Sequence, residues 1–290
     1  MKNFRDKVSN ESCFLSNMDV KTVNGFGEEW SMFDQSLLEP LEHEKIFNDY
    51  FRIFPWHLIS EDKSIGVDVG CGSGRWAMLF APHVRFLHLV DASDKALRVA
   101  IKNLKNISNV DFHNTSIEDM PMPDGSLDFA YSLGVLHHLP DTQKAINDIA
   151  KKLKLGAPFL VYLYYAFDNR PLWYRCLWKV SDFFRKGISV MPFPLKFFIS
   201  QVIAVLVYWP LARFARMLER LTILPKSFPL KDYRCWSFYT MRTDSLDRFG
   251  TRFEKRFTQK EIEVMLKNAG FKDIIFSKEQ PRWCVVGIKS

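Results

Sequence analysis

Cysteine is too sparse and too scattered in this 290-residue chain to staple it. The five (Cys13, Cys71, Cys176, Cys235, Cys284) are odd in number and stand singly, giving neither a disulfide framework nor a zinc-ligand spacing. The opening MKNFRDKVSNES lacks the apolar stretch of a secretory signal, so a reduced, cytoplasmic setting is expected. No internal repeat or low-complexity tract appears. The apolar run FFISQVIAVLVYW (197–209) is thirteen residues long before Pro210 interrupts it, short of the roughly twenty that cross a bilayer. Excess charge is also missing from most of the chain. The net charge is +7, but residues 167–240 hold twelve Lys/Arg against four Asp/Glu, which leaves the rest at −1. A basic coat suited to nucleic acid is therefore absent, and the basicity belongs to one aromatic, apolar segment.

What is present is ordinary globular material: 47% apolar and 25% charged residues, long enough to bury a sizeable core. Residues 1–60 show helical spacing, with Trp30, Phe33, Leu37 and Leu38, then Ile46, Tyr50 and Phe51, punctuated by Pro40 and Pro55. From residue 61 strand and helix signals alternate. IGVDV, FLHLV, VDFHN, LDFAYSLG and LGAPFLVYLYY read as strands, separated by helices with Ser93 and Asp141 as N-caps. After Ala166 the alternation stops for about seventy residues. It returns with FTQKEIEVMLKNAGF, which carries a Thr258–Glu261 capping box and a Gly270 stop, and with a final strand pair around Pro281. Apolar strands alternating with helices predict a mostly parallel sheet covered on both faces. The expected layout is an N-terminal helical cap (1–60), one α/β domain (61–166 and 241–290) and a helical lid inserted between its halves (167–240).

The run Asp68-Val69-Gly70-Cys71-Gly72-Ser73-Gly74 ends a strand and opens a helix. Glycines at alternate positions permit a sharp turn and close approach of backbone to a ligand. A dehydrogenase fingerprint needs its third glycine where Arg75 stands. The acid two residues before Gly70 would repel a pyrophosphate and attract an ammonium. A second strand ends in Asp91, about twenty residues on, where a carboxylate can accept both hydroxyls of a ribose. A tight turn with no ligand is the plain alternative for the glycines taken alone.

Taken in order, these motifs resemble the class I S-adenosylmethionine-dependent methyltransferases of small-molecule type, over 60–166 and 256–290. FNDYF, GCGSGRWA and FLVYLYYAFDNRP resemble a bacterial branch whose members are suspected of modifying sugars or lipid-linked glycans. The resemblance implies a Rossmann-like seven-stranded, mostly parallel sheet with the last strand antiparallel and a helical insertion after the fifth. It implies S-adenosylmethionine as methyl donor. Asp68 and Gly70 would hold its methionine end, with Gly72 and Gly74 allowing close approach and Cys71 serving as a small neighbour. Asp91 would bind the ribose and Ala92 would flank the adenine. Ser116 stands where the family usually has an acid, with the Ile117 amide next to it and Glu118 close by. The backbone at Ser132 and Leu133 would close over the sulfonium.

On the acceptor side, His137 is the candidate base and His138 its neighbour, with packing or capping as the alternative role. Tyr164 and Tyr165 end the fifth strand and are candidates to line the acceptor pocket. Tyr239, Arg242 and Asp244 could meet an anionic acceptor, or buttress the lid. No metal-ligand set is evident. In the insertion, Leu172, Trp173, Cys176, Leu177, Val180, Phe183 and Phe184 form one helical stripe, opposite Arg175, Lys179, Asp182, Arg185 and Lys186. LARFARMLERL repeats the pattern with Arg213 and Arg216. The stripes are expected to pack on the domain as a lid, while the basic faces suit peripheral contact with an anionic membrane through 171–221 on the inner face. The leading expectation is methyl transfer to oxygen of a small-molecule, sugar or lipid-linked acceptor. RNA methylation and an inactive cofactor-binding scaffold are the alternatives, and nucleic acid is disfavoured because the charge sits on amphipathic helices.

Overall fold

The computed structural model describes residues 17–168, 170–281 and 283–290. Cys13, the opening segment and the first part of the N-terminal cap lie outside them. Two helices lead in, α1 (Val20–Met32) and α2 (Pro40–Phe51). Pro40 sits in the first turn of α2, where its missing N–H leaves no bond unmade. The alternating part then follows as β1 (Ile65–Val69), α3 (Arg75–Phe80), β2 (Phe86–Asp91), α4 (Asp94–Asn103), β3 (Val110–Asn114), β4 (Phe129–Leu133), α5 (Thr142–Lys152) and β5 (Pro158–Tyr162). Ser93 and Asp141 cap α4 and α5 as expected. The closing elements are α10 (Gln259–Asn268), with the Thr258–Glu261 capping box formed, β6 (Phe271–Phe276) and β7 (Cys284–Lys289).

The seven strands make one sheet in the order β3-β2-β1-β4-β5-β7-β6. Pairs from β3 through β5 are parallel, and β7 runs antiparallel to both β5 and β6. Side chains alternate across the pleat, so each strand feeds two cores. Val67, Val69, Ala130, Phe159 and Val161 pack with Ile146 and Ile149 of α5 and Ile262 and Leu266 of α10. On the other face Leu87, Leu89, Phe129 and Tyr131 meet Phe47 and Phe51 of α2, Phe80 of α3 and Leu97 of α4. The chain reverses order at β1, and the ends of β1, β2 and β4 open side by side, the place where open α/β sheets bind ligands.

The insertion builds α6 (Leu172–Ser189), α7 (Phe193–Ile203), α8 (Trp209–Arg220) and α9 (Phe238–Gly250). It has its own small core of Ile188, Tyr208, Ala212, Met241 and Phe249. The boundary at 240/241 falls inside α9, whose residues pack with those of α7. Two expectations about this segment are corrected. Pro210 does not end a helix: α7 and α8 run on through a π-helical turn at Ala204–Tyr208, giving 28 continuous helical residues, Phe193–Arg220. Proline needs no acceptor four residues back, and the widened turn relieves the clash of its ring with the preceding carbonyl. Nor does the α6 stripe pack inward. Leu172, Trp173, Leu177, Val180, Phe183 and Phe184 face solvent, while Asp182 and Arg185 are buried. The inward face is mixed: Tyr174, Trp178 and Ile188 pack inward, and Arg185 bonds Asp182 (2.7 Å) and the Thr251 carbonyl (2.9 Å), which anchors α6 to the chain end of α9.

Gly66 in β1 tests the packing of the sheet. A Cβ there would lie 2.3 Å from the buried Phe129 ring of the adjacent strand. Gly66→Ala is expected to lower stability by about 1–3 kcal/mol, the usual range for overpacking, as read from urea unfolding. Unchanged stability would mean that the Phe129 ring has room to move.

Candidate active site

The glycine loop leaves β1 with φ of +78° at Gly70 and +54° at Gly72, left-handed conformations that side-chain-bearing residues adopt at a cost. Both the Gly70 and Cys71 amides donate to the Val90 carbonyl, at 2.7 and 3.1 Å, so the loop hangs from the end of β2. A Cβ on Gly70 would come 2.4 Å from Val135, and one on Gly72 2.8 Å from the Trp30 indole of α1. Gly74 serves a different purpose: a Cβ there would press on Leu104 below α4, and it does not line the cavity.

Asp91 stands at the tip of β2. Its carboxylate accepts from the Gly72 amide (2.9 Å) and the Ser93 amide (2.8 Å), which fixes its direction at the cavity wall. Burial raises its pKa and those two amides oppose the rise. Asp68, by contrast, is 1% exposed and has the Tyr131 hydroxyl as a neighbour. Burial, opposed in part by that hydroxyl, pushes it up to about 8. A buried carboxyl so little compensated beside a glycine cradle is a site that gains from a cation.

These walls belong to one cavity of about 850 Å³. Gly70, Cys71, Gly72, Asp91, Ala92, Ser116, Ile117 and Leu133 line it, as does Tyr165. Asp68 and Ser132 lie just behind the lining; the Ser132 hydroxyl donates to the Val69 carbonyl (2.9 Å) and ties β4 to β1. Cys71 is buried and its thiol is pushed well above the usual range by burial, so it acts as a small wall residue. Ser116 donates to Asp119 (2.7 Å), while Glu118 pairs with Lys144 and is not on the wall. The acid beside Ser116 is thus Asp119.

Other expected site residues stand apart. His137 is 0% exposed, stacks on Tyr164 at 3.8 Å, and is held neutral by burial; it does not line the cavity. His138 does. Its Nδ1 bonds the Phe253 carbonyl (2.7 Å), which makes that nitrogen the donor and leaves Nε2 with its lone pair and no partner. Tyr239 accepts from the Gln35 amide (2.9 Å), and Arg242 donates to Gln201 (2.5 Å). Both brace helices and neither reaches the cavity.

The far wall was largely missed by the sequence reading. It comprises Phe26, Glu29 and Trp30 of α1, Tyr50 of α2, Tyr208 of the π turn, and Asp244, Asp247 and Arg248 of α9. Glu29 is raised well above the usual carboxylate range, first by burial, then by Asp247 and Asp244. Asp244 is pushed up to about 6 by burial, against the pull of Arg75. Asp247 accepts from the Tyr164 hydroxyl. Away from the cavity, His88, Asp111 and His113 bring one ligand atom each within 4.8 Å on the β2–β3 surface. The sequence hid this set because it comes from two strands in register, with His88 opposite Asp111.

Residues 67–161 match the family described as "Methyltransferase domain". A relative from Bacillus subtilis, "Uncharacterized methyltransferase YcgJ", is 34% identical over 102 residues, 34% of this chain and 40% of that protein. The "Ubiquinone biosynthesis O-methyltransferase" of Nitrosomonas europaea is 28% identical over 148 residues, 48% of this chain and 63% of that protein. These matches span less than two thirds of either relative. Among solved structures, a chain of the complex between the Haloferax volcanii Trm112 methyltransferase activator and a methyltransferase is 14% identical with a TM-score of 0.51. That likeness covers 91% of this chain and 96% of that one, and extends to the fold.

Two measurements test the cofactor side. S-adenosylmethionine and its demethylated product should each raise the melting temperature, by the equivalent of about 2.7 kcal/mol at a hundredfold excess over Kd. NAD should not, and Asp91→Asn should remove most of the shift, since charge-assisted bonds to two hydroxyls are lost. For Asp68, an ammonium placed beside it should ionise a carboxyl held near 8. Calorimetry near pH 7 in buffers of different ionisation heat should then show proton release, absent in Asp68→Asn. In the ligand-free protein, the folded state binds a proton the unfolded chain does not. Stability should therefore fall as pH rises from the ordinary carboxylate range through about 8.

Proposed function

The chain belongs to the class I S-adenosylmethionine-dependent methyltransferases, and from that premise we propose that it transfers a methyl group to a hydroxyl of a small-molecule, sugar or lipid-linked acceptor. The observation that carries this reading is one unbroken cavity. It joins the glycine loop and Asp91 to a far wall of aromatic rings, buried carboxyls and the His138 ring, whose Nε2 is buried without a partner.

Bound S-adenosylmethionine supplies a methyl already activated by its sulfonium. The protein's task is to bind, align and exclude water. Asp91 would accept the ribose hydroxyls, Ala92 and Ile117 would flank the base, and Asp68 would pair with the ammonium. Leu133, at the end of β4, and Val135 just beyond it would cover the reacting end, with Phe26 and Trp30 of α1 on the same cavity wall. A hydroxyl must lose its proton as it attacks. His138 takes it at Nε2, since its other nitrogen is committed to the Phe253 carbonyl and burial keeps the ring neutral. Glu29, raised well above the usual carboxylate range by burial, and Asp244 offer hydrogen bonds to the acceptor.

The test offers methyl-labelled cofactor with small-molecule and lipid extracts and follows the label. His138→Gln should lower kcat by about 10²–10⁴ while leaving cofactor affinity unchanged. Wild-type activity should rise with pH through a limb below the ordinary histidine value, because burial lowers the His138 pKa, and stay flat above it. Loss of that limb in His138→Gln, with the limb kept in His137→Gln, supports the assignment. Label on nitrogen, or no turnover with any extract despite cofactor binding, would overturn it. Transfer should be unchanged by chelator, and rescue by Mg²⁺ would require a metal step.

A further inference from the structure

We propose that the exposed apolar face of the insertion docks on the surface of an anionic lipid bilayer. This goes beyond methyl transfer and stands or falls without it.

The insertion lines the cavity with Tyr208 and leaves a second, apolar face outside. Among the described residues, eighteen of the 28 large exposed hydrophobics lie between Leu172 and Ile223. Phe183 is 75% and Leu206 69% exposed, and Trp173 and Trp209 are about half exposed. Several polar groups are turned inward: Arg185 toward Asp182 and the Thr251 carbonyl, Gln201 toward Arg242, and the Ser200 carbonyl toward Ser245 (2.8 Å). So many large apolar side chains left outward on one segment mark a docking surface.

Charge selects the occupant. Basic side chains flank the apolar face, with Arg175 and Lys179 exposed on α6 and Arg216 and Arg220 on α8. Arg213 is not among them: it reaches back toward the Arg234 and Trp236 carbonyls. A second copy of this chain is disfavoured, since a two-fold interface would set the same positive patch against itself. A surface with apolar depth and negative headgroups satisfies both features, and tryptophan is suited to that boundary.

The mode is lying on the bilayer, not crossing it. Phe193–Arg220 is long and apolar enough to span, and only 22% of its most apolar window is buried. However, Ala204, Tyr208, Ala212 and Ala215 along it are buried against its neighbours, and Tyr208 reaches the cavity. Crossing would strip that packing and drag the charged α9 toward hydrocarbon. In the docked arrangement Leu206 and Trp209 enter the headgroup boundary while Tyr208, between them, stays on the cavity wall.

The experiment is sedimentation of the full chain with phosphatidylcholine vesicles, with and without phosphatidylglycerol, at low and high salt. Pelleting with the anionic vesicles, weakened by salt, is expected. Each of Arg175→Gln, Lys179→Gln, Arg216→Gln and Arg220→Gln should weaken it about fivefold, the equivalent of about 1 kcal/mol per basic side chain. Phe183→Ser with Leu206→Ser should also weaken it while leaving the melting temperature and the cofactor shift unchanged, because both side chains are exposed. Equal pelleting with neutral vesicles, or none with either, would overturn the proposal. So would a dimer, seen by light scattering, that Phe183→Ser dissolves in a protein that ignores vesicles.

Discussion

The site depends on the register of β1 against β2, with Val69 opposite Val90. That pairing delivers the Val90 carbonyl to two loop amides and the Asp91 carboxylate to a third, at Gly72. A slip of one residue would turn Asp91 to the other face of the sheet and leave the loop without its anchor. The register is held in turn by Leu87, Leu89, Val67 and Val69, each buried in one of two cores on opposite faces. Hydrophobic packing on both sides thus fixes the position of a polar group at the strand ends, and the chemistry of the cavity follows from it.

A second constraint acts on electrostatics. The cavity holds several carboxyls in a setting with little water, and burial raises Glu29, Asp68 and Asp244. Such groups destabilise an empty fold whenever they ionise, and they are relieved by a ligand that brings a cation or hydrogen bonds. The protein holds unfavourable charge burial where binding can offset it, a common arrangement at sites of function. On the insertion the same physics runs in reverse: apolar side chains remain in water, and lipid would relieve them.

Much of this was legible in the chain before folding. Short apolar runs alternating with helical stretches, caps at Ser93, Asp141 and Thr258, and the glycines between Asp68 and Arg75 determine the sheet, its helices and the cofactor end, because each signal is local. Asp91 was readable for the same reason, through its distance from the glycines. What tertiary structure alone decided were choices between faces. Helical spacing marks Phe26, Glu29 and Trp30 as one turn of a helix, but only docking of α1 over the loop puts them in the cavity. His137 and His138 are indistinguishable in sequence, and the turn after β4 sends one behind Tyr164 and the other to the cavity wall. The α6 stripe looked like a packing face because burial is the usual fate of such a stripe. Tyr174, Trp178, Arg185 and Ile188 make the inward face instead, and no periodicity in the sequence records which side of an amphipathic helix meets water, protein or lipid.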